Sequence, residues 1–440
     1  ASSGTDCDEE GCSALYVVKS KKHALNSDTC FFVLGDWGKG GLYGDITNST
    51  QISASSSTTR NNRNNRNRGH DHKHEHQNSF TYQNAVAKSM FHVANGNFLQ
   101  YAGGGNDNAC GDDGDVLYPS FICAVGDNFY DDGVQSVNDS LWRTHWENVY
   151  MHNPYFYRYS HTKNGGNVLA SLPWYAVFGN HDYGYGSSGV AAQIAKATAH
   201  PLWRFPSQYY SHIVDIRDDE RNIEGLLYMV HIDTTTLAPS LNKCCNEEGG
   251  ISTSLQNYRI QMQLEYIEEQ LYNASLTATW IVVVGHYPVY TSGSKGDGSE
   301  LKQYLLPLML KYSVHAYICG HDHISEHVSK TGIHYFVVGS GSMTDSVSQT
   351  STAAHVHWSG GADSSNLLTI PAFAAVSVSL TDLTILYYNT SGHAVYSYTI
   401  NNPHHREKFL SHNFLLSYYY EEANDLYSAS VSNHSSITSS

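Results

Sequence analysis

No apolar run in these 440 residues approaches the roughly 20 needed to cross a bilayer, so the sequence reads as a soluble protein. Basic residues are scarce: 25 Lys and Arg stand against 41 Asp and Glu, a formal net charge of −16. Nucleic acid and anionic membrane both demand a basic face, and this balance speaks against them as partners. The eight cysteines, Cys7, Cys12, Cys30, Cys110, Cys123, Cys244, Cys245 and Cys319, include no paired Cys-x-x-Cys of a zinc site. No internal repeat of solenoid type is found. An initiating methionine is missing too, and the start at Ala1 is that of a processed secreted protein. Five Asn-x-Ser/Thr sequons, at Asn48, Asn138, Asn273, Asn389 and Asn433, fit the same route. The expectation is therefore a secreted protein, or one of a vacuolar or lysosomal lumen, with N-glycans and with disulfides whose pairing sequence does not reveal. Cys123 and Cys319 lie inside apparent strands and read as buried thiols.

What is present suffices for a large core: 40% hydrophobic residues, and 12% aromatic residues with 33 Tyr. The chain divides into an N-terminal segment 1–28, a main unit 29–401 and a polar, Tyr- and Ser-rich extension 402–440. Inside the main unit, about 45–79 is a low-complexity insertion of Ser, Thr, Asn and Arg followed by alternating His70, His72, His74 and His76. Such a tract cannot bury enough apolar surface to offset its ordering entropy; its histidines could hold metal ions loosely. Elsewhere, strands are expected at Thr29 to Leu34, Tyr118 to Val125, Trp174 to Phe178, Leu226 to Asp233, Trp280 to Val284, Val314 to Cys319 and His334 to Val338. A β-rich stretch follows over Ala372 to Ile400. Helical spacing marks Phe80 to Phe98, Leu141 to Val149, Ile260 to Leu271 and Leu301 to Tyr312, the last with Pro307 ending or kinking it. Strands alternating with helices make an α/β protein, and the alternation alone would also suit a single doubly wound sheet.

Five of these strands stop at glycine and at once present a polar side chain: Asp36, Asp127, Asn180, His286, and the pair His321 and His323. Singly, each is an ordinary turn residue. Jointly they point to one site, because the strand ends of a sheet converge in space. Tyr130, three residues past Asp127, adds a phenol oxygen. Carboxylate and phenolate oxygens suit a hard cation, and imidazoles suit Zn(II), Mn(II) or Fe(II). So many donors exceed what one ion needs. Two cations about 3.5–4 Å apart across a shared carboxylate stabilise both the attacking and leaving oxygens of a phosphoryl displacement. His181 and Asp182 stand beside a ligand, where acid–base work is done; a buried structural histidine is the other reading of His181.

The series Gly-Asp-Trp-Gly, Gly-Asp-Asn-Phe-Tyr, Gly-Asn-His-Asp, Val-Gly-His-Tyr-Pro and Gly-His-Asp-His resembles the purple acid phosphatases, of the small tartrate-resistant type, within the calcineurin-like metallophosphoesterase superfamily. The likeness runs on through Ala192-Gln193-Ile194, Trp203, Phe205-Pro206-Ser207, Asp233-Thr234 and Gly339-Ser340-Gly341, and covers Thr29 to Asn401 apart from the insertion. It implies a four-layer αββα sandwich of two mixed sheets. It implies Fe(III) held by Asp36, Tyr130 and His323, a divalent Fe, Zn or Mn held by Asn180, His286 and His321, and Asp127 bridging them. The implied activity is acid hydrolysis of phosphate monoesters, small molecules or phosphoproteins, by a metal-bound hydroxide, with inorganic phosphate as product inhibitor. His181 would bind phosphate or protonate the leaving alcohol. The family's second histidine is replaced here by Lys295, a point charge but a poor general acid. Cys244 and Cys245 lie in a loop that the family tethers by a disulfide, and the usual partner cysteine near Gly298 to Gln303 is missing. Alternatives are a phosphodiesterase or nucleotide pyrophosphatase on the same site, and an idle extracellular metal-binding protein.

Overall fold

The computed structural model describes residues 15–18, 29–40, 81–95, 119–159, 167–217, 222–241, 253–347, 352–360 and 369–402. The insertion, the C-terminal extension beyond its first residue and Cys7, Cys12, Cys110, Cys244 and Cys245 lie outside them, as do Asn48 and Asn433. Fifteen strands occur among the described residues. In chain order they are β1 (Leu15–Val18), β2 (Thr29–Leu34), β3 (Ile122–Ala124), β4 (Trp174–Ala176), β5 (Trp203–Arg204), β6 (Tyr210–Arg217), β7 (Ile223–His231), β8 (Trp280–Val284), β9 (Ala316–Cys319), β10 (Ser325–Lys330), β11 (Ile333–Val338), β12 (His355–Ser359), β13 (Ala372–Val378), β14 (Asp382–Asn389) and β15 (Ala394–Asn401).

These strands make two mixed sheets, one ordered β1-β6-β7-β8-β9-β11-β10-β12 and the other β15-β14-β13-β2-β3-β4-β5. Side-chain alternation along each strand explains how both faces of the first sheet become core. In β8, Trp280, Val282 and Val284 turn into the apolar layer between the sheets. Ile281 and Val283 turn the other way. There they meet Ile267, Leu271 and Ala274 of the long helix Thr253–Thr277. Burial on both faces is why β8 and β9 are unbroken apolar runs. On the far side, helix Gln83–Ala94 buries Val86, Met90 and Phe91 in the core of the second sheet. The order is helix, sheet, sheet, helix, so a single doubly wound sheet is excluded.

Pro307 divides the helix expected over Leu301 to Tyr312 into Ser299–Tyr304 and Leu306–Lys311, where it sits in the first turn of the second piece. Strands β6, β10 and β12 carry no apolar run to announce them. In β10, Ser325, Glu326 and His327 are buried although polar. Their partners come from elsewhere: the Ser292 amide donates to Glu326 Oε2 at 2.9 Å and the Ser359 hydroxyl to Oε1 at 2.8 Å. Cys123 and Cys319 are free, buried thiols and Cys30 is buried as well, so no disulfide joins two of the described residues. Asn138 and Asn273 are exposed and Asn389 half-buried.

Candidate metal centre

Parallel pairing sets β2, β3 and β4 side by side, with Leu34 opposite Ala124 and Ala124 opposite Ala176. In the other sheet β8 and β9 are parallel neighbours, with Val284 opposite Ile318. All five strands therefore end at the same rim, and the turns beyond them carry Asp36, Asp127, Asn180, His286, His321 and His323. Glycine precedes the ligand because neighbouring turns are so close. A Cβ on Gly179 would land on the Asp127 amide nitrogen and carboxylate, and one on Gly320 would land on Asp36 Oδ2. Asp36, Asp127 and His321 have φ of 54°, 50° and 71°, the left-handed region that side chains rarely adopt. That strain is tolerated where the surroundings dictate where each donor points.

The donor atoms fall into two groups that share Asp127. In one, the Tyr130 hydroxyl donates to Asp36 Oδ1 at 3.0 Å and Asp127 Oδ2 at 2.9 Å, and lies 3.2 Å from His323 Nε2. In the other, His286 Nε2 is 3.3 Å from both Asp127 Oδ1 and Asn180 Oδ1. Ring nitrogens of His286 and His321 and a carboxylate oxygen of Asp127 all lie within 4.8 Å of one another. All seven expected ligands thus meet at one place.

The electrostatics suit cations. His321 Nδ1 is buried without a hydrogen-bond partner, and burial, then Lys295 and His286, holds its imidazole well below the usual histidine range. A neutral imidazole with an orphaned nitrogen is what a metal requires. Burial would lower His286, but the Asp127 carboxylate more than offsets it and raises the ring to about 9. Conversely, burial would raise Asp127, yet His286, His181 and His321 hold it well below the usual carboxylate range. Tyr130 is pushed well above an ordinary phenol by burial and by Asp127 and Asp36. Only a cation of high charge would convert it to phenolate here. The donor set therefore fits a pair of ions, the harder one beside Tyr130.

Supporting groups fix these ligands. His286 Nδ1 donates to the Val125 carbonyl at 2.9 Å, leaving Nε2 for the centre. His323 Nδ1 is 3.2 Å from Asp345 Oδ2. Such partners orient a ligating imidazole and raise its basicity. Thr234 Oγ1 accepts from the amides of His286 at 3.2 Å and Tyr287 at 2.9 Å. Sequence reasoning missed Asp345, a lone carboxylate in a polar stretch that carries no spacing signal.

Asp182 does not stand where a proton-transfer group would. Its buried carboxylate accepts from the amides of Gly179 at 2.8 Å, Asn128 at 3.1 Å and Phe129 at 3.3 Å, and from Gln193 Nε2 at 2.8 Å. It ties the turn after β3 to the turn after β4, so its geometry is that of a positioning residue. Burial and Asp127 push this carboxyl up to about 7 against those donors.

Beside the ligands opens a cleft of about 360 Å³ lined by Asn180, His181, Leu241, Pro288, Lys295 and His321, among others. The half-buried His181 ring lies 4.5 Å from that of Tyr130. Its Nδ1 meets the Asp131 carbonyl at 2.5 Å, which leaves Nε2 for a bound molecule. Lys295 is exposed, and its ammonium donates to the His321 carbonyl.

The family model described as calcineurin-like phosphoesterase matches residues 111–325. The chain carries a calcineurin-like phosphoesterase domain. The matched stretch starts beyond Asp36, and the phosphoesterase core is completed by β2 pairing with β3. Tartrate-resistant acid phosphatase type 5 of the rabbit, Oryctolagus cuniculus, is 29% identical over 285 residues, 64% of this chain and 79% of that protein. Among solved structures, an anchor in the inner membrane complex of Plasmodium aligns with a TM-score of 0.57 at 20% identity, over 87% of this chain and 94% of that one. A purple acid phosphatase from yellow lupin, Lupinus luteus, aligns with a TM-score of 0.50 at 15% identity, over 88% and 55%. At these identities both structures speak to the phosphoesterase fold alone.

Proposed function

We propose that this phosphoesterase is a metal-dependent acid phosphatase that hydrolyses phosphate monoesters at an Fe(III)–M(II) pair, M being Fe, Zn or Mn. The observation that carries the reading is the division of seven donors into an oxygen-rich and a nitrogen-rich group joined by Asp127. Asp36, Tyr130 and His323 would hold the trivalent ion, Asn180, His286 and His321 the divalent one. When bound, the cations supply Lewis acidity toward the phosphoryl oxygens and the attacking water. The chain does the rest. The His181 ring, with its Nδ1 proton held on the Asp131 carbonyl, presents Nε2 to the cleft; protonated there, it donates to the departing alcohol oxygen. Lys295 offers a fixed positive charge to the phosphate from the lip of the cleft. Asp182 keeps two ligand turns in register. No described helix is long and apolar enough to cross a membrane, and the exposed sequons Asn138 and Asn273 support a secreted or lumenal glycoprotein.

Assaying p-nitrophenyl phosphate against bis(p-nitrophenyl) phosphate, with metal analysis of the same preparation, tests this reading. Two metals per chain and a preference for the monoester are expected. A preference for the diester would make the protein a phosphodiesterase, and inactivity with fewer than two metals would overturn the enzyme altogether.

A further inference from the structure

A second cluster of imidazoles lies where the edges of the two sheets face each other. Strand β10 contributes His327, β11 contributes His334, and β12 contributes His357. Pairing explains how they meet. Ser329 stands opposite His334, so His327, two residues earlier, shares its face of the sheet. Opposite β12 the register slips: His327 faces Trp358 while Val328 faces Val356. His357 is the extra residue of that bulge, and a bulge re-aims a side chain. Its ring stacks on His327 with centroids 4.3 Å apart and 11° between planes. One ring nitrogen from each histidine lies within 4.8 Å of the others.

We propose that His327, His334 and His357 form a separate, mononuclear site for a divalent transition cation, Zn(II) or Cu(II), sharing no ligand with the phosphoesterase centre. Three imidazoles select such ions over Mg(II) or Ca(II), which prefer oxygen. His327 Nε2 and His334 Nδ1 are 2.9 Å apart; nitrogens about 2.0–2.1 Å from one tetrahedral zinc stand about 3.3 Å apart, so a small rotation admits the ion. His327 Nδ1 meets the Tyr396 hydroxyl at 2.7 Å and His357 Nε2 the Ser329 hydroxyl at 2.7 Å, partners of the kind that hold ligating rings. With Nδ1 as ligand, His334 moves its ring proton to Nε2, with no net proton released. Burial and the neighbouring rings keep His327 down to about 2 and His334 to about 4, so both are neutral, as ligands must be. Half-exposure of His334 and His357 leaves an entry route and an open fourth position for water.

The full-length protein, stripped with chelator and dialysed against Zn(II), should retain one equivalent more than a His334→Gln, His357→Gln double variant. Both chains should carry serine at His70, His72, His74 and His76, so that this tract does not contribute. Zinc should raise the Tm of the parent more than that of the variant, and phosphatase turnover should be equal in the two. Should the double variant not fold, His357→Gln alone, on an edge strand, should weaken that equivalent by at least about tenfold. Equal zinc content and equal Tm shifts, or an unchanged Kd in the single variant, would overturn the site. Zinc content, the Tm shift and the Kd do not depend on the phosphatase reading; only the turnover control does.

Discussion

Tyr130 is the residue on which the most specific prediction rests. Its hydroxyl lies between Asp36 and Asp127, and burial with those two carboxylates keeps it protonated until a strong cation displaces the proton. With the proposed Fe(III) bound, Tyr130→Phe is expected to abolish the visible tyrosinate-to-iron band while lowering kcat by no more than about tenfold, about 1.4 kcal/mol of barrier, because Asp36, Asp127 and His323 remain to hold the ion. Retained colour would remove Tyr130 from the ligands. Lys295 acts at the same scale but from solvent. An exposed charge contributes at most about 1 kcal/mol, so Lys295→Ala should raise KM no more than about fivefold with kcat nearly unchanged. A large fall in kcat instead would make Lys295 a proton donor.

Among the elements, the turns after β3 and β4 act as one piece. Asp182 joins them by accepting from Gly179, Asn128, Phe129 and Gln193, and Gly179 lets the Asp127 carboxylate lie against the next turn. An amide has one acceptor oxygen where the carboxylate has two, and its NH₂ would face amide protons. Asp182→Asn should therefore lower metal affinity or kcat/KM about 10–100-fold while far-UV circular dichroism is unchanged. Full activity would show that the turns hold themselves. Sequence spacing disclosed these turns because strand, glycine and ligand are contiguous. It could not disclose β10, whose buried Ser325, Glu326 and His327 look like a surface strand until Ser340 is seen to satisfy the first, Ser292 and Ser359 the second and Tyr396 the third.

For the molecule as a whole, acid exacts a cost between the sheets. His212 and His231 are fully buried, 2.9 Å apart through His231 Nε2 and His212 Nδ1, and stacked on Tyr175 and Tyr210. Burial lowers His212 to about 3, and burial with its neighbour holds His231 well below its usual value. Unfolded, each imidazole takes up a proton near pH 6.5. Their contribution is thus complete above about pH 6.5 and is lost as pH falls toward the folded values, at about 1.4 kcal/mol per pH unit for each neutral group. Urea denaturation should show at least about 2 kcal/mol less stability at pH 5 than at pH 6.5 from this pair. Replacing both by leucine should flatten that slope; an unchanged slope would place the proton uptake elsewhere.

The sequence by itself determined the α/β class, the apolar strands of both sheets and all seven candidate ligands, because each is written in contiguous residues: a buried run, a glycine, a polar side chain. Tertiary structure alone decided that those strands belong to two sheets rather than one, since pairing partners lie far apart in the chain. It set the two groups of ligands, implied before only by resemblance, at measured distances on either side of Asp127, placed Asp345 behind His323 and occupied Asp182 with backbone amides. It also brought His327, His334 and His357 together. Each of these depends on which strand ends share a rim or which residue a bulge inserts, and neither is a property of any local stretch.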